Sequence, residues 1–321
     1  MNTIDSNFNI QEKLSSLTYG FFGLGLMGGS LAKAIRSEIL NIENSQGRIL
    51  ASDCRIQTLE EAKKEKIIDD FYSVEETQKM LSKCDIVFIC LYPKATKEFI
   101  KNNINFFKEN AIITDISGVK TELVESLPQG LKGINPNTTA QFIPGHPMAG
   151  SEKEGFINSN SKIFAGRNYI LMPYENTKPE NLDILKSIIY KIGFTNIITT
   201  DYKTHDHKIA FTSQLCHIIA SALVESAEDT QITQFGGGSF EDLTRIAMIN
   251  APLWTELFLA NKTELLSHIE SFEKSLDKLK KQIQGEQTKN LQENLELVRS
   301  KRILMVENTS KWIYNRWLWV M

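Results

Sequence analysis

The sequence predicts a fold of the α/β plus all-α class, in which a doubly wound parallel sheet is followed by an all-helical region. A glycine-rich turn joins the first apolar run to a helical segment, and apolar runs then alternate with helical segments. This alternation is typical of parallel sheets covered by helices. The strand pattern ends near Asp201, and segments with helical periodicity follow. We therefore predict an α/β domain over residues 17–199 and an all-helical domain over residues 200–321.

The glycine-rich turn has the spacing Gly23-x-Gly25-x-x-Gly28 and leads from the apolar run TYGFF into LAKAIRSEIL. The first glycine permits a tight bend, the second lets the backbone approach a pyrophosphate, and the third allows close packing of helix on strand. The helix that follows offers free N–H groups and the positive end of its dipole. The pattern predicts a Rossmann-type dinucleotide site, whose loop contacts are Gly23, Leu24, Gly25, Leu26, Met27 and Gly28.

Further cofactor contacts are predicted at the ends of two later strands. The run RILASD ends at Asp53, where a carboxylate can accept hydrogen bonds from the adenosine ribose hydroxyls. Because it would repel a ribose 2′-phosphate, Asp53 favours NAD over NADP. Arg55 is predicted to lie near the adenine, although a guanidinium can also attract a 2′-phosphate. Asp115 ends the run NAIITD and is predicted to contact the cofactor, since ligands bind at the carboxyl ends of such strands.

The composition excludes several classes of function. The chain has 321 residues, 41% of them hydrophobic and 23% charged, with a net charge of −3. This balance gives no electrostatic reason to expect nucleic acid as a partner, and the sequence has no apolar run of the length that spans a membrane. The first residues lack the pattern of a signal peptide, which predicts a cytoplasmic protein. The four cysteines lack metal-site spacing, so we expect no metal.

One histidine and one arginine are candidates for chemistry in the middle of the chain. His146 follows a predicted strand in the turn-like segment FIPGHPMAG, and neutral imidazole suits proton transfer near pH 7. A structural histidine is the alternative interpretation. Arg245 opens the segment RIAMINAPLW, where a guanidinium can hold a carboxylate through two hydrogen bonds. An exposed helix arginine is the alternative there.

A predicted helix, with Thr204 as its N-cap, adds candidates that face a ligand. Helical spacing places Asp206, Ala210, Ser213 and His217 on one narrow face. His205 and His207 do not share that face. Since helical zinc ligands prefer i, i+4 spacing, this arrangement argues against a histidine metal site.

Together the motifs resemble those of the prephenate dehydrogenases, NAD-dependent enzymes of tyrosine biosynthesis. The resemblance covers residues 18–265 and rests on the motifs GLGLMGGSLAKA, DIVFICLYP, DISGVK, GHPMAGSEKEG, HD…SQLCH and FEDLTRIA. It implies a Rossmann domain paired with a helical domain that builds a homodimer. It also implies oxidative decarboxylation of prephenate to 4-hydroxyphenylpyruvate, with release of CO₂ and formation of NADH.

The resemblance further implies roles for individual residues. His146 would accept the proton of the substrate's ring hydroxyl, while hydride is transferred to the nicotinamide from the ring carbon that bears this hydroxyl. Ser117 is the candidate for a family serine that assists at that hydroxyl. Arg245 would bind a substrate carboxylate. The predicted substrate contacts are Arg245, His217, Ser213 and Lys120.

The sequence departs from the family pattern at two places. Many members have Gly-Ser before Val-Lys in the fourth-strand motif, whereas this chain has Ser117-Gly118. The helix motif often reads Ser-His-Leu-Pro-His, whereas this chain has Gln214 and Cys216 within it. Three alternatives stay open: an arogenate dehydrogenase, a β-hydroxyacid dehydrogenase, and a non-catalytic NAD sensor.

The C-terminal residues are rich in tryptophan. Trp312, Trp317 and Trp319 stand close together, and aromatic residues at this density are seldom left in water. We predict that they pack on the helical domain or on a second subunit.

Overall fold

The structure is a computed structural model that describes residues 10–317, with side chains described as far as residue 307. The chain divides into two compact units, Met1–Lys262 and Thr263–Met321. The first unit contains both sheets and all the site residues predicted from the sequence. The side chains of the predicted tryptophan cluster, Trp312, Trp317 and Trp319, lie outside the described residues.

A six-stranded parallel sheet with the order β3-β2-β1-β4-β5-β6 forms the centre of the first unit. Its strands are β1 Thr18–Phe22, β2 Arg48–Ser52, β3 Asp70–Phe71, β4 Ile86–Ile89, β5 Ile112–Asp115 and β6 Gln141–Phe142. The strand order reverses between β1 and β4, and ligands bind at the carboxyl ends of strands at such a switch point. The predicted doubly wound parallel sheet is confirmed.

Helices cover the sheet and account for the apolar character of its central strands. β4 and β5 are buried at every residue, as expected when both faces of a parallel sheet are covered. The connecting helices are α1 Leu26–Ile35, α2 Ile56–Lys64, α3 Thr77–Leu81, α4 Pro93–Asn103 and α5 Thr121–Glu125. A π-helical turn, Arg36–Leu40, continues α1.

A second, three-stranded sheet carries His146. Its strands are β7 Gly145–Pro147, β8 Asn168–Leu171 and β9 Asn196–Thr199, and α6 Pro179–Lys191 connects β8 to β9. β7 pairs antiparallel with β8, with His146 opposite Ile170. The sequence predicted a rigid turn at His146. The structure instead holds this residue within a short strand, so main-chain pairing fixes its position.

Helices follow β9 to the end of the described chain. They are α7 Tyr202–Ile209, α8 Leu215–Glu225, α9 Gly238–Thr244, α10 Ala251–Ala260, α11 Lys262–Gln284 and α12 Thr288–Trp317. The predicted domain boundary at residues 199/200 lies at the end of β9, and as a domain boundary it stays a prediction. The described residues include no helix that is both long and apolar enough to span a membrane.

The helix predicted from Thr204 differs from the prediction at its start and in its middle. Asp201 is the N-cap, because its side chain accepts the Thr204 N–H at 2.9 Å. A π-helical turn, Ala210–Gln214, joins α7 to α8. Since a π turn holds more residues than an α turn, α-helical spacing does not continue through it. The predicted single face from Asp206 to His217 is therefore wrong.

The glycine loop between β1 and α1 depends on close backbone contacts. Gly23 has φ +91°, and a Cβ there would lie 2.6 Å from the carbonyl oxygen of Cys90. A Cβ on Gly28 would lie 2.0 Å from the carbonyl oxygen of Gly23. A Cβ on Gly25 would meet nothing within 4 Å. The first and third glycines are thus needed by the fold itself, whereas the space beside Gly25 is open.

This difference predicts that serine is tolerated at one glycine of the loop and not at another. Gly28→Ser should lower the free energy of unfolding by about 1–3 kcal/mol, because the added atoms overlap the Gly23 carbonyl. Gly25→Ser, the matched control, should leave stability nearly unchanged, since serine is a favoured N-cap and its Cβ enters open space. Thermal unfolding of the two variants measures the difference. Equal losses in both would contradict the packing described for Gly28.

Candidate active site

The loop between β1 and α1 forms a cradle for an anion. α1 begins after Gly25, which provides no side-chain cap, so the first N–H groups of the helix have no partner within it. Beside them, Asp53 Oδ2 accepts the Leu24 N–H at 2.8 Å, and Asp53 Oδ1 accepts the Arg55 N–H at 2.9 Å. The open space at Gly25 and the helix N-terminus fit a pyrophosphate.

Three side chains form a hydrogen-bonded chain that starts at His146. Nδ1 of His146 lies 2.9 Å from Nε2 of His205. Nδ1 of His205 lies 2.6 Å from Oδ1 of Asp206. His205 and Asp206 are buried in the first turns of α7, whereas His146 is partly exposed in β7. We call this arrangement the Asp206–His205–His146 chain.

The carboxylate of Asp206 is held from the sheet side by main-chain groups. It accepts the Lys120 N–H at 2.9 and 3.0 Å and the Thr121 N–H at 2.7 Å, both from the segment after β5. Its own main-chain carbonyl accepts the side-chain amide of Asn261 at 2.9 Å. Asn261 also bonds the side chain of Gln214, so Gln214 is part of the same buried polar packing.

The environment keeps both histidines of the chain neutral. Burial is the main cause that holds the pKa of His146 well below its ordinary value of 6.5, and His205 and the Lys120 ammonium lower it further. Burial also lowers the pKa of His205, against the opposing effect of Asp206. Burial alone would raise the pKa of Asp206, but its bonds to His205 and Thr121 bring it below the ordinary value. The chain therefore joins two neutral imidazoles to a carboxylate.

Lys120 is engaged in a buried ion pair rather than at an open surface. Its Nζ lies 2.5 Å from Asp115 Oδ2 and 2.6 Å from the carbonyl oxygen of Gly145, and both side chains of the pair are fully buried. Asp115 also accepts the N–H groups of Ser117 and Gly145. In this structure neither charged group is available to a ligand. The predictions of a substrate contact at Lys120 and a cofactor contact at Asp115 therefore disagree with the geometry.

His217 in α8 and Trp254 in α10 pack together, and Arg245, which follows α9, reaches the segment after His146. His217 donates from Nδ1 to the Ser213 carbonyl at 2.9 Å, and its ring lies against Trp254 with centroids 3.6 Å apart. Burial lowers the pKa of His217, the bond to Ser213 opposes this, and Arg245 lowers it further. Arg245 is exposed and lies 3.4 Å from Glu152 Oε2. A guanidinium with an exposed partner can exchange it for another carboxylate.

Comparison with known proteins decides the family. A family model described as "Prephenate dehydrogenase, nucleotide-binding domain" matches residues 37–198, and one described as "Prephenate dehydrogenase, dimerization domain" matches residues 201–297. The chain belongs to the prephenate dehydrogenase family. Prephenate dehydrogenase of Lactococcus lactis is 34% identical over 263 residues, which are 80% of this chain and 68% of that protein.

Two solved structures resemble this prephenate dehydrogenase family member over most of its length. Prephenate dehydrogenase from A. aeolicus, in complex with hydroxyphenyl propionate and NAD⁺, has a TM-score of 0.77 and 30% identity, over 90% of this chain and 98% of that one. Arogenate dehydrogenase from Synechocystis has a TM-score of 0.71 and 26% identity, over 89% and 99%. The protein is therefore an NAD-dependent oxidoreductase, and its cofactor is NAD.

The predicted cofactor residues of this family member occupy several environments. Gly23, Gly25 and Gly28 form the cradle, and Asp53 and Arg55 lie beside it. The side chains of the apolar loop residues differ in their surroundings. Leu24 is buried, Leu26 is partly exposed, and Met27 packs against the core. The loop can therefore present its backbone to a ligand, while Leu24 and Met27 stabilise the fold.

The predicted catalytic and substrate residues lie in three places. His146 heads the hydrogen-bonded chain, whereas Ser117 has a buried hydroxyl without a partner among the described residues. His217 and Arg245 lie near each other, and Ser213 precedes His217 on the same helical segment. Among the described residues no group of histidine, cysteine and acidic side chains could hold a metal ion.

Sequence reasoning missed the contacts of His205 with His146 and Asp206, and the contact of Trp254 with His217. The dipeptide His205-Asp206 was part of the family motif, but helical spacing placed His205 away from the predicted ligand face. A histidine followed by an acidic residue at the start of a helix can pair with it, as His205 does with Asp206. That local pairing is the signal that could have found it.

Proposed function

We propose that this enzyme catalyses the NAD-dependent oxidative decarboxylation of prephenate to 4-hydroxyphenylpyruvate. The observation that carries the proposal is His146, whose Nδ1 is occupied by His205 while Nε2 has no hydrogen-bond partner in the part of the chain that the structure describes. A neutral imidazole with one free nitrogen is suited to accept a proton from a substrate hydroxyl.

The chain's own residues divide the work in this proposal. Nε2 of His146 accepts the proton of the ring hydroxyl and returns it to the same oxygen when the ring becomes aromatic after CO₂ leaves. Arg245 binds a carboxylate of the substrate by exchanging its exposed partner Glu152. His217 and Trp254 provide a flat surface beside Arg245. NAD, when bound at the glycine cradle and Asp53, supplies the acceptor for hydride.

Arogenate is the second candidate substrate. It differs from prephenate by an amino group in place of the side-chain keto oxygen, and the Synechocystis structure of similar fold is named an arogenate dehydrogenase. The proton acceptor and the carboxylate clamp suit both substrates, because both carry the ring hydroxyl and carboxylates. Only an activity assay with each substrate therefore distinguishes prephenate dehydrogenase activity from arogenate dehydrogenase activity.

The direct test is the appearance of NADH with purified protein, NAD and either prephenate or arogenate. The proposed function expects turnover of prephenate with NAD, and NADP serves as the control cofactor for the preference attributed to Asp53. Turnover of arogenate alone would change the substrate and keep the roles of the residues. Absence of turnover with both substrates, while NAD still binds, would overturn the proposal and favour the NAD sensor.

His146→Asn tests the proton acceptor. We expect kcat to fall by about 10²–10⁴-fold, which is the usual effect of losing a general base, while the Kd for NAD stays nearly unchanged. In the unchanged enzyme kcat/KM should fall only below the ordinary histidine pKa of 6.5, because burial keeps His146 unprotonated above it. The variant should lack this acid limb. A variant within threefold of the unchanged enzyme would exclude His146 as the base.

Arg245→Ala tests the carboxylate clamp. We expect KM for the substrate to rise at least tenfold, with a smaller effect on kcat, because a bidentate carboxylate contact is lost. Arg245→Lys should recover only part of the affinity, since an ammonium cannot bind a carboxylate in the same paired geometry. Glu152→Gln is the matched control, because it removes the resting partner and keeps the guanidinium. An unchanged KM in Arg245→Ala would place the clamp elsewhere.

The oligomeric state and the location of the enzyme belong to the same proposal. The family description of residues 201–297 as a dimerization domain supports a homodimer. The cytoplasm stays the predicted location, as expected for an enzyme of amino-acid biosynthesis.

A further inference from the structure

The positions of the protons in the Asp206–His205–His146 chain follow from the groups that surround Asp206. Asp206 accepts main-chain N–H groups from Lys120 and Thr121 and lies 2.6 Å from Nδ1 of His205. An ionised carboxylate can only accept, so Nδ1 of His205 carries a proton. Nε2 of a neutral His205 is then an acceptor, and His146 must donate to it from Nδ1. Nε2 of His146 is left with a lone pair.

Nε2 of His146 lies near Gly118, which follows β5 and has no side chain. An atom in the Cβ position of Gly118 would lie 3.9 Å from Nε2 of His146. The same position would lie 3.2 Å from the side chain of Leu257 in α10. Nε2 of His146 therefore lies close to the main chain of Gly118 and to the side chain of Leu257.

The charged groups around His146 favour a positive charge on His205 over a positive charge on His146. The Lys120 ammonium opposes positive charge on His146, although Asp115 neutralises that ammonium at 2.5 Å. Asp206 is the remaining negative charge, and it contacts His205 rather than His146. A positive charge is thus more stable on His205, beside the carboxylate, than on His146.

We propose that His205 and Asp206 are positioning residues that set the tautomer of His146 and take over the positive charge when His146 accepts a proton. This inference rests on the proposed function, in which His146 is the base. As Nε2 takes the proton of the ring hydroxyl, the proton on Nδ1 shifts toward Nε2 of His205, whose own Nδ1 proton stays shared with Asp206. The shift reverses when the proton returns to the aromatic product, so the relay neither gains nor loses a proton.

Asp206→Asn is the most informative variant. The side-chain oxygen of the asparagine can still accept hydrogen bonds from the main-chain N–H groups of Lys120 and Thr121. Its side-chain NH₂ group then donates to Nδ1 of His205. Each proton of the relay then moves to the opposite nitrogen, and Nε2 of His146 becomes a donor. We expect kcat to fall by about 10²–10⁴-fold with the Kd for NAD unchanged, as in serine proteases where the same exchange gives the wrong tautomer.

The tautomer itself is measured by ¹⁵N NMR of the free protein, without substrate or cofactor. The chain has five histidines, and the spectrum of His146→Asn identifies the signals of His146. We expect the unchanged protein to show the proton on Nδ1 of His146 above pH 7, and Asp206→Asn to show it on Nε2. Because this readout needs no turnover, an enzyme inactive with both prephenate and arogenate would overturn the proposed function and leave the test of the tautomer intact.

Two further variants separate positioning from simple stabilisation. Asn261→Ala removes the hydrogen bonds to the Asp206 main chain and to Gln214, so it should lower the melting temperature without changing kcat or the tautomer. His205→Gln should lower kcat and alter the pH profile of kcat/KM even where Asp206→Asn fails to fold, since an amide cannot take over the charge. A proton on Nε2 of His146 in the unchanged protein would overturn the inference. The inference would also be overturned if the His205 and Asp206 variants showed only a lower melting temperature, with kcat, the pH profile and the tautomer unchanged.

Discussion

The carboxylate of Asp206 is the interaction on which the arrangement of the site depends. It accepts two main-chain N–H groups from the segment after β5, and its Oδ1 lies 2.6 Å from Nδ1 of His205. The two main-chain partners are donors and the pKa of Asp206 is lowered, so the carboxylate is ionised and accepts a hydrogen bond from the His205 ring as well. Each buried donor left without a partner would cost about 1–3 kcal/mol. One charge thus fixes the start of α7 against β5 and orients the ring that contacts His146.

The ion pair of Asp115 and Lys120 supports the same arrangement from the sheet. Lys120 uses its side chain to bond Asp115 and the carbonyl of Gly145, and its main chain to bond Asp206. Because Gly145 directly precedes His146, this one lysine links the strand that carries His146 to both carboxylates. Removing one member of a buried pair typically costs about 3–5 kcal/mol. Since Lys120 and Asp115 neutralise each other, the charge of Asp206 is the one that would offset a proton arriving in the proposed mechanism.

Features with local signals were predictable from the sequence, whereas those that depend on distant partners were not. The glycine turn and strand β4 could be predicted because glycine spacing and a continuous apolar run are properties of short segments. β3 has only two residues and no sequence pattern of its own, so it could not be predicted. The contact of His205 was missed because its partner His146 is 59 residues away in the sequence. Lys120 resembled a site residue because sequence does not show that Asp115 neutralises it in the core.

Because of the order Ser117-Gly118, the residue beside Nε2 of His146 has no side chain. In the proposed mechanism, the Asp206–His205–His146 chain alone then orients the base. Family members with Gly-Ser carry their hydroxyl at the position that is Gly118 here, and this position faces Nε2 of His146. The hydroxyl of Ser117 is instead buried without a partner among the described residues. In the proposed mechanism, position 118 therefore has no hydroxyl that could orient the substrate's ring hydroxyl toward His146. Under the same proposal, the orientation of the base depends on the other side of the imidazole, where Nδ1 of His146 lies 2.9 Å from Nε2 of His205.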